Sequence, residues 1–149
     1  MKYKNLKFEP HEFNSLGDYR FADIIAVCGG KWVFCKHKER NTWETPGGHI
    51  EAEEQPLETA KRELYEETGA TSFDIEPLCD YWTSGELNGV SFTAHGQVYF
   101  ANIHTFEEIP YDSEMEKIIL TDSIPNEQTY PDYIKAIFPL ALKRHNIFT

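Results

Sequence analysis

Residues 48–70 read GHIEAEEQPLETAKRELYEETGA, and the rest of the chain is read around them. Pro56 suits the first turn of a helix, where a backbone N–H has no intrahelical partner to lose. Leu57, Ala60 and Leu64 recur at helical spacing and predict one apolar stripe facing a core. Gly69 stands where a left-handed C-cap ends a helix. The pattern predicts a helix over residues 55–68, entered from a glycine-containing loop.

The charges on that helix are unusual. Glu63 lies three residues before Glu66 and four before Glu67, so three carboxylates crowd one side of the last two turns. Like charges at those spacings cost roughly 0.2–0.5 kcal/mol per pair. Glu66 and Glu67 also sit at the negative end of the helix dipole, which costs each roughly 0.3–1 kcal/mol more. A cation reverses the sign of all these terms. Hard oxygen donors, with no cysteine or paired histidine among them, favour magnesium or manganese over zinc. The plainer alternative is a solvated acidic face, with Glu58–Arg62 and Arg62–Glu66 as exposed ion pairs.

The spacing of the whole stretch weighs against that alternative. It runs glycine, five residues, glutamate, seven residues, then Arg-Glu-aliphatic-x-Glu-Glu-x-Gly-aliphatic, with Gly48, Glu54, Arg62, Glu63, Leu64, Glu66, Glu67, Gly69 and Ala70 at the fixed places. This resembles the box of the Nudix hydrolases, Ala70 being smaller than the usual aliphatic. The resemblance implies an α/β protein: an α/β/α sandwich with a mixed β-sheet, the box as loop and helix, and a C-terminal helix. It implies hydrolysis of a phosphoanhydride in a nucleoside diphosphate derivative by metal-activated water attack at phosphorus, with Mg²⁺, or Mn²⁺ as a substitute.

Residue roles follow from the same resemblance. Glu66 and Glu67 are expected as metal ligands, Glu63 as a ligand or in water activation, and the Gly47 carbonyl as a further ligand. Glu54 is expected to close the site as an outer ligand or base, with Arg62 orienting Glu54 or Glu63 through a charge-assisted pair. Family members often add a carboxylate shortly before a late strand, and Glu114, ahead of Glu116, is so placed. Arg40, with Lys38 and Lys36, lies on the loop leading to the glycine pair and is a candidate for phosphate contact. Glu44 is a candidate nucleotide contact, and Asn126 a weaker one. Trp43, Tyr81 and Trp82 are candidates for stacking on a base, although an aromatic in a strand is more often part of the core. His49 and His95 are read as structural. The chain looks most like the MutT branch, which implies nucleoside triphosphates as substrates, oxidised guanine nucleotides among them. The alternatives are an RNA 5′-end pyrophosphohydrolase and a catalytically silent Nudix-fold module that senses a nucleotide.

Composition sets the outer limits. With 149 residues, 40% hydrophobic and 14% aromatic, residues 1–149 are expected to form one domain with a sizeable core. No apolar run approaches the roughly 20 residues that span a bilayer. The opening MKYKNLKFEP lacks a signal-peptide core, so a soluble, cytoplasmic protein is expected. The three cysteines, Cys28, Cys35 and Cys79, fit a reducing compartment. A formal net charge of −11 weighs against a broad nucleic-acid-binding face. A phosphate-bearing substrate then depends on metal and a few local cations.

Along the chain, residues 1–10 alternate loosely as an edge strand, and 11–19 read as a loop. Strands are expected over 20–28 and 31–37 about a tight turn at Gly29-Gly30. After the box helix, 72–82 and 90–103 form a long hairpin about Asn88-Gly89. A short strand is expected over 117–121. A last helix over 131–145 turns Ile134, Ile137, Phe138 and Ala141 inward, with Pro139 removing one backbone bond.

Overall fold

The computed structural model describes residues 3–148, with side chains through residue 145. Met1 and Lys2 of the expected edge strand lie outside the described residues. The elements are β1 (Tyr3–His11), β2 (Tyr19–Cys28), β3 (Lys31–His37), β4 (Trp43–Glu44), β5 (Gly47–His49), α1 (Pro56–Thr68), β6 (Ala70–Leu87), β7 (Val90–Phe106), β8 (Met115–Thr121) and α2 (Pro131–Phe148). Eight strands form one mixed sheet in the order β1-β6-β7-β2-β3-β4, with β5 paired to β2 and β8 to β3. β2 and β7 run parallel, and the other strand pairings are antiparallel.

Turn chemistry explains the hairpins. Asn88 and Gly89 (φ 52° and 84°) both occupy the left-handed region that a two-residue type I′ turn requires, and this joins the 18- and 17-residue strands β6 and β7. Gly29 and Gly30 do the same between β2 and β3.

Side chains alternate across the sheet and supply two cores, one under each helix. Ile25, Val27, Trp32, Phe34, Val98 and Phe100 pack with Ile134, Ile137, Phe138 and Ala141 of α2. Ala22, Ile24, Ala26, Val33, Tyr99 and Ala101 pack with Ala60 and Leu64 of α1. The architecture is therefore α/β/α. Leu57 departs from the expected stripe, being 37% exposed. The inward face of α1 uses Thr59 and Thr68 with Ala60 and Leu64, and each buried hydroxyl finds an acceptor, Glu54 and the Leu64 carbonyl respectively. Among the described residues no helix is long and apolar enough to cross a membrane.

Candidate active site

The site is assembled from the Gly47-Gly48 turn, the outer side of α1 and one position of β2. β5 lies along β2 so that Asp23 opposes Gly47 and Ala22 opposes Gly48. Neither glycine has room for a Cβ. At Gly47 it would strike Asp23 Oδ1 and the Ala22 carbonyl, and at Gly48 it would lie 2.8 Å from Glu63 Cδ. The turn is thus pressed against carboxylates from both sides. Gly47 N–H donates to Glu67 Oε1 at 2.8 Å. The glycine at 47 is required by Asp23, and its N–H holds the Glu67 carboxyl.

Arg62 is the hub of the box helix. Its Nε and Nη2 fork onto Glu54 at 2.8 and 3.0 Å, and its Nη1 reaches Glu63 at 2.7 Å and Glu66 at 3.2 Å. Nη2 also donates to the His49 carbonyl at 3.3 Å, tying the helix to the glycine turn. The expected surface pair Glu58–Arg62 is replaced by this arrangement, and Glu58 instead accepts from the Gln55 N–H at the start of α1.

Protonation follows burial. Glu67 is 8% exposed, and desolvation pushes its carboxyl up to about 9, with the nearby Glu63, Glu44 and Asp23 charges adding and the Gly47 N–H opposing. Desolvation likewise raises Asp23 to about 7, against the hydrogen bond from Tyr81 Oη at 2.6 Å. Burial raises Glu63 too, opposed by Arg62. Glu54 goes the other way, held at about 2 by Arg62 and then by the Thr59 hydroxyl. So firmly held an anion is a weak proton acceptor, and Glu54 stands behind Arg62, outside the set of residues lining the cleft. The expectation that Glu54 closes the site as a base has no support in this geometry.

A cleft of about 670 Å³ opens over these groups, lined among others by Asp23, Glu63, Glu66, Glu67 and Glu114. All five offer oxygen alone, the donor chemistry of a hard divalent cation. Among the described residues no three acidic, histidine or cysteine side chains already converge as ligands. Glu63 and Glu66 are turned onto Arg62, whose charge balances them where a metal would. The donor set fits such a cation once those two carboxylates turn from the guanidinium.

The other candidates fall on both sides of the cleft wall. Glu114 lines it, 3.7 Å from His37 Nε2, while Glu116 pairs with Lys36 at 2.8 Å. Arg40 and Glu44 line it together, paired at 3.1 Å. Lys38 does not line it, and its ammonium is directed to the Tyr111 carbonyl at 3.5 Å. His49 lies on the Phe21 ring at the rim, and His95 Nδ1 meets the Gly17 carbonyl at 2.7 Å. Trp43 carries Lys117 over its ring and packs beside the α2 core, and Tyr81 is buried on Asp23. Asp23 is a site residue that the sequence reading does not single out. Its signal there is one carboxylate inside the otherwise apolar run ADIIAV of a core strand.

Known proteins share this fold and parts of this sequence. The profile of the NUDIX domain matches residues 18–132. The Bacillus subtilis (strain 168) protein YtkD, provisionally named an 8-oxo-dGTP diphosphatase, is 29% identical over 141 residues, covering 87% of this chain and 86% of its own. An RNA pyrophosphohydrolase of Bartonella henselae is 39% identical over 57 residues, 36% of this chain and 33% of its own length. The crystal structure of a point mutant of the Bacillus subtilis pyrophosphohydrolase BsRppH superposes with a TM-score of 0.76 at 23% identity, over 98% of this chain and 96% of that one. A NUDIX hydrolase from Nitrosomonas europaea gives 0.61 at 18% identity, over 87% and 90% of the two chains. With the domain profile spanning most of its length, the chain belongs to the Nudix family, hydrolases that act on nucleotide derivatives.

Proposed function

We propose that residues 1–149 form one Nudix hydrolase domain that cleaves a phosphoanhydride of nucleoside triphosphates, oxidised guanine nucleotides among them, with Mg²⁺ as cofactor and Mn²⁺ as its substitute. Nudix hydrolases use a divalent cation, and the acidic wall of the cleft is the observation that carries this reading. Asp23, Glu63, Glu66, Glu67 and Glu114, with other acidic side chains of the lining, face a substrate that is itself an anion, an arrangement that requires cations between them. Such a cation neutralises phosphate oxygens and acidifies the attacking water. Glu63, Glu66, Glu67 and Glu114 would hold it. Glu63 would also take a proton from water, a role that its partial burial and raised pKa support. Arg62 positions Glu63 and Glu66, and Glu54 anchors Arg62 by the two-pronged fork. Arg40, on the cleft wall with Glu44, is the side chain assigned to phosphate. Three free cysteines agree with a cytoplasmic protein.

Similarity to YtkD over 87% of this chain supports the nucleotide reading. The Bartonella match and the fold of the Bacillus pyrophosphohydrolase support a second one, removal of pyrophosphate from an RNA 5′ end. Product analysis with Mg²⁺ across nucleoside triphosphates, 8-oxo-dGTP, dinucleoside polyphosphates, ADP-ribose and triphosphorylated RNA separates them. Release of pyrophosphate from free triphosphates at a higher kcat/KM than from RNA is the expected result. Turnover of RNA alone moves the assignment to the second reading, and binding without turnover overturns both.

A further inference from the structure

β6, β7 and β2 are neighbours in the sheet, and one side chain crosses from the first to the last. Tyr81 of β6 stands opposite Gly96 of β7, and Gly96 stands opposite Phe21 of β2. A Cβ on Gly96 would strike Tyr81 at Cζ and Oη. Gly96 is not among the glycines with positive φ, so the glycine serves close approach and not an unusual backbone. Over this gap the Tyr81 ring lies across β7 and sets its hydroxyl on Asp23 Oδ2 at 2.6 Å. Phe8 and Tyr133 meet the same ring edge to face, with centroids 5.6 and 5.7 Å away, and Tyr81 is 4% exposed. Its direction is fixed by packing on two sides.

Asp23 passes this constraint to the glycine turn. It pairs with Gly47 across β2 and β5, and its Oδ1 lies where a Gly47 Cβ would be. The Ile24 N–H donates to the Pro46 carbonyl at 2.9 Å just before that contact, and the Gly47 N–H donates to Glu67 Oε1 at 2.8 Å just beyond it. Gly96, Tyr81, Asp23, Gly47 and Glu67 thus form one run of contacts from the middle of the sheet to the box helix. When ionised, Asp23 and Glu67 repel each other across the turn. Each is held against that repulsion by a donor of its own, the Tyr81 hydroxyl for Asp23 and the Gly47 N–H for Glu67. Without the first donor Asp23 is free to turn, and the backbone resting on it loses its support.

We propose that Tyr81 and Asp23 are positioning residues for the cation site: Tyr81, laid across Gly96, fixes Asp23, and Asp23 sets the Gly47 turn at the height from which its N–H holds Glu67. This rests on the metal-dependent reading above. Both residues act through the turn, and neither touches the cation.

The test is Mn²⁺ binding to the free protein, read by titration calorimetry at a temperature where each variant is folded. Tyr81→Phe keeps the ring and its aromatic contacts and removes only the hydroxyl. It should weaken Mn²⁺ binding roughly tenfold, the size of one hydrogen bond to a charged group. Asp23→Ala should weaken it at least as much. Asp23→Asn, which keeps the shape and an oxygen for Tyr81, should return affinity to within about threefold of the wild type, and adding Tyr81→Phe to Asp23→Ala should cause no further loss. Unchanged affinity in Tyr81→Phe, or additive losses in the double variant, overturns the assignment. So does an Asp23→Asn protein as weak as Asp23→Ala, which would make Asp23 a charge in the site and not a support for the turn. Metal-dependent hydrolysis stands in each of those cases. A wild type that binds no Mn²⁺, with or without a nonhydrolysable triphosphate analogue, instead removes the metal-dependent reading, and this one with it.

Discussion

Glu67 and Glu54 are chemically the same side chain in opposite surroundings: one is desolvated beside the Gly47 N–H, the other is gripped by Arg62 and Thr59. Burial lifts Glu67 from 4.5 to about 9, so between those values the folded protein binds more protons than the unfolded chain and stability falls as pH rises. Asp23, lifted from 3.8 to about 7, adds the same sign over the lower part of that window. Glu54, lowered from 4.5 to about 2, has the opposite sign, and its contribution is present above pH 4.5 and lost as pH drops toward 2. Thermal unfolding in chelator should therefore show a melting temperature that declines from about pH 5 to about pH 9. Glu67→Gln should flatten the decline mainly above about pH 7, and Mg²⁺ should raise the melting temperature more near pH 9 than near pH 6. A decline that Glu67→Gln leaves unaltered would place the titrating group elsewhere. Glu54 and Glu67 were legible from the spacing of the box, whereas Asp23 was not singled out. The protonation of the three was not legible, because helical periodicity says which residues share a side and says nothing of how deeply that side is sunk against a neighbouring turn.

Two glycines of the box, Gly48 in β5 ahead of the helix and Gly69 at its C-cap, serve different ends. Gly69 adopts φ 81°, donates its N–H to the Tyr65 carbonyl at 2.8 Å, and accepts from the Glu107 N–H at 2.8 Å. A Cβ there would strike the Glu107 backbone carbonyl. Gly48, by contrast, is closed off by the movable end of a side chain, the Glu63 carboxylate. Gly69→Ala should cost about 2–4 kcal/mol, since left-handed strain and a backbone collision add. Gly48→Ala should cost less than that in stability and more in turnover, because Glu63 can swing aside only by leaving its place in the cleft. Denaturant unfolding and steady-state kinetics on both variants check the contrast, and equal losses of stability would remove it. The helix ends were legible at this scale, since Pro56 and Gly69 mark them in the sequence as in the structure. The exposure of Leu57 was not, because three apolar residues at helical spacing do not say which of them the sheet reaches.

Across the whole molecule, neighbouring residues of one strand are sent to opposite tasks by the two-residue period of the sheet. In β6, Tyr81 joins the α2 side and the cleft, while Asp80 points to the other side and is fully buried. Asp80 accepts from the Asn14 and Leu16 backbone N–H groups at 3.2 and 3.1 Å, from the Tyr19 hydroxyl, and from Gln97 Nε2 at 3.0 Å. Gln97 in turn donates to Asn14 Oδ1 and accepts from Tyr99. One carboxylate thus fastens the segment between β1 and β2 to β6 and β7. That link joins parts of the sheet that no local pattern connects. The hairpins were readable from Gly29-Gly30 and Asn88-Gly89, whereas the parallel pairing of β2 with β7 and this long-range polar knot arise only when distant segments meet. Asp80→Ala would leave four donors facing a buried void, and water reaching them would relieve only part of the loss. The variant should lose about 3–5 kcal/mol in denaturant unfolding, and residues 12–18 should become the first site of limited proteolysis. Because Asp80 lies across the sheet from the cleft, variant protein that is still folded at low temperature should keep its metal-dependent turnover. A stable Asp80→Ala protein with an intact 12–18 segment would show instead that Tyr19, Gln97 and His95 suffice to hold it.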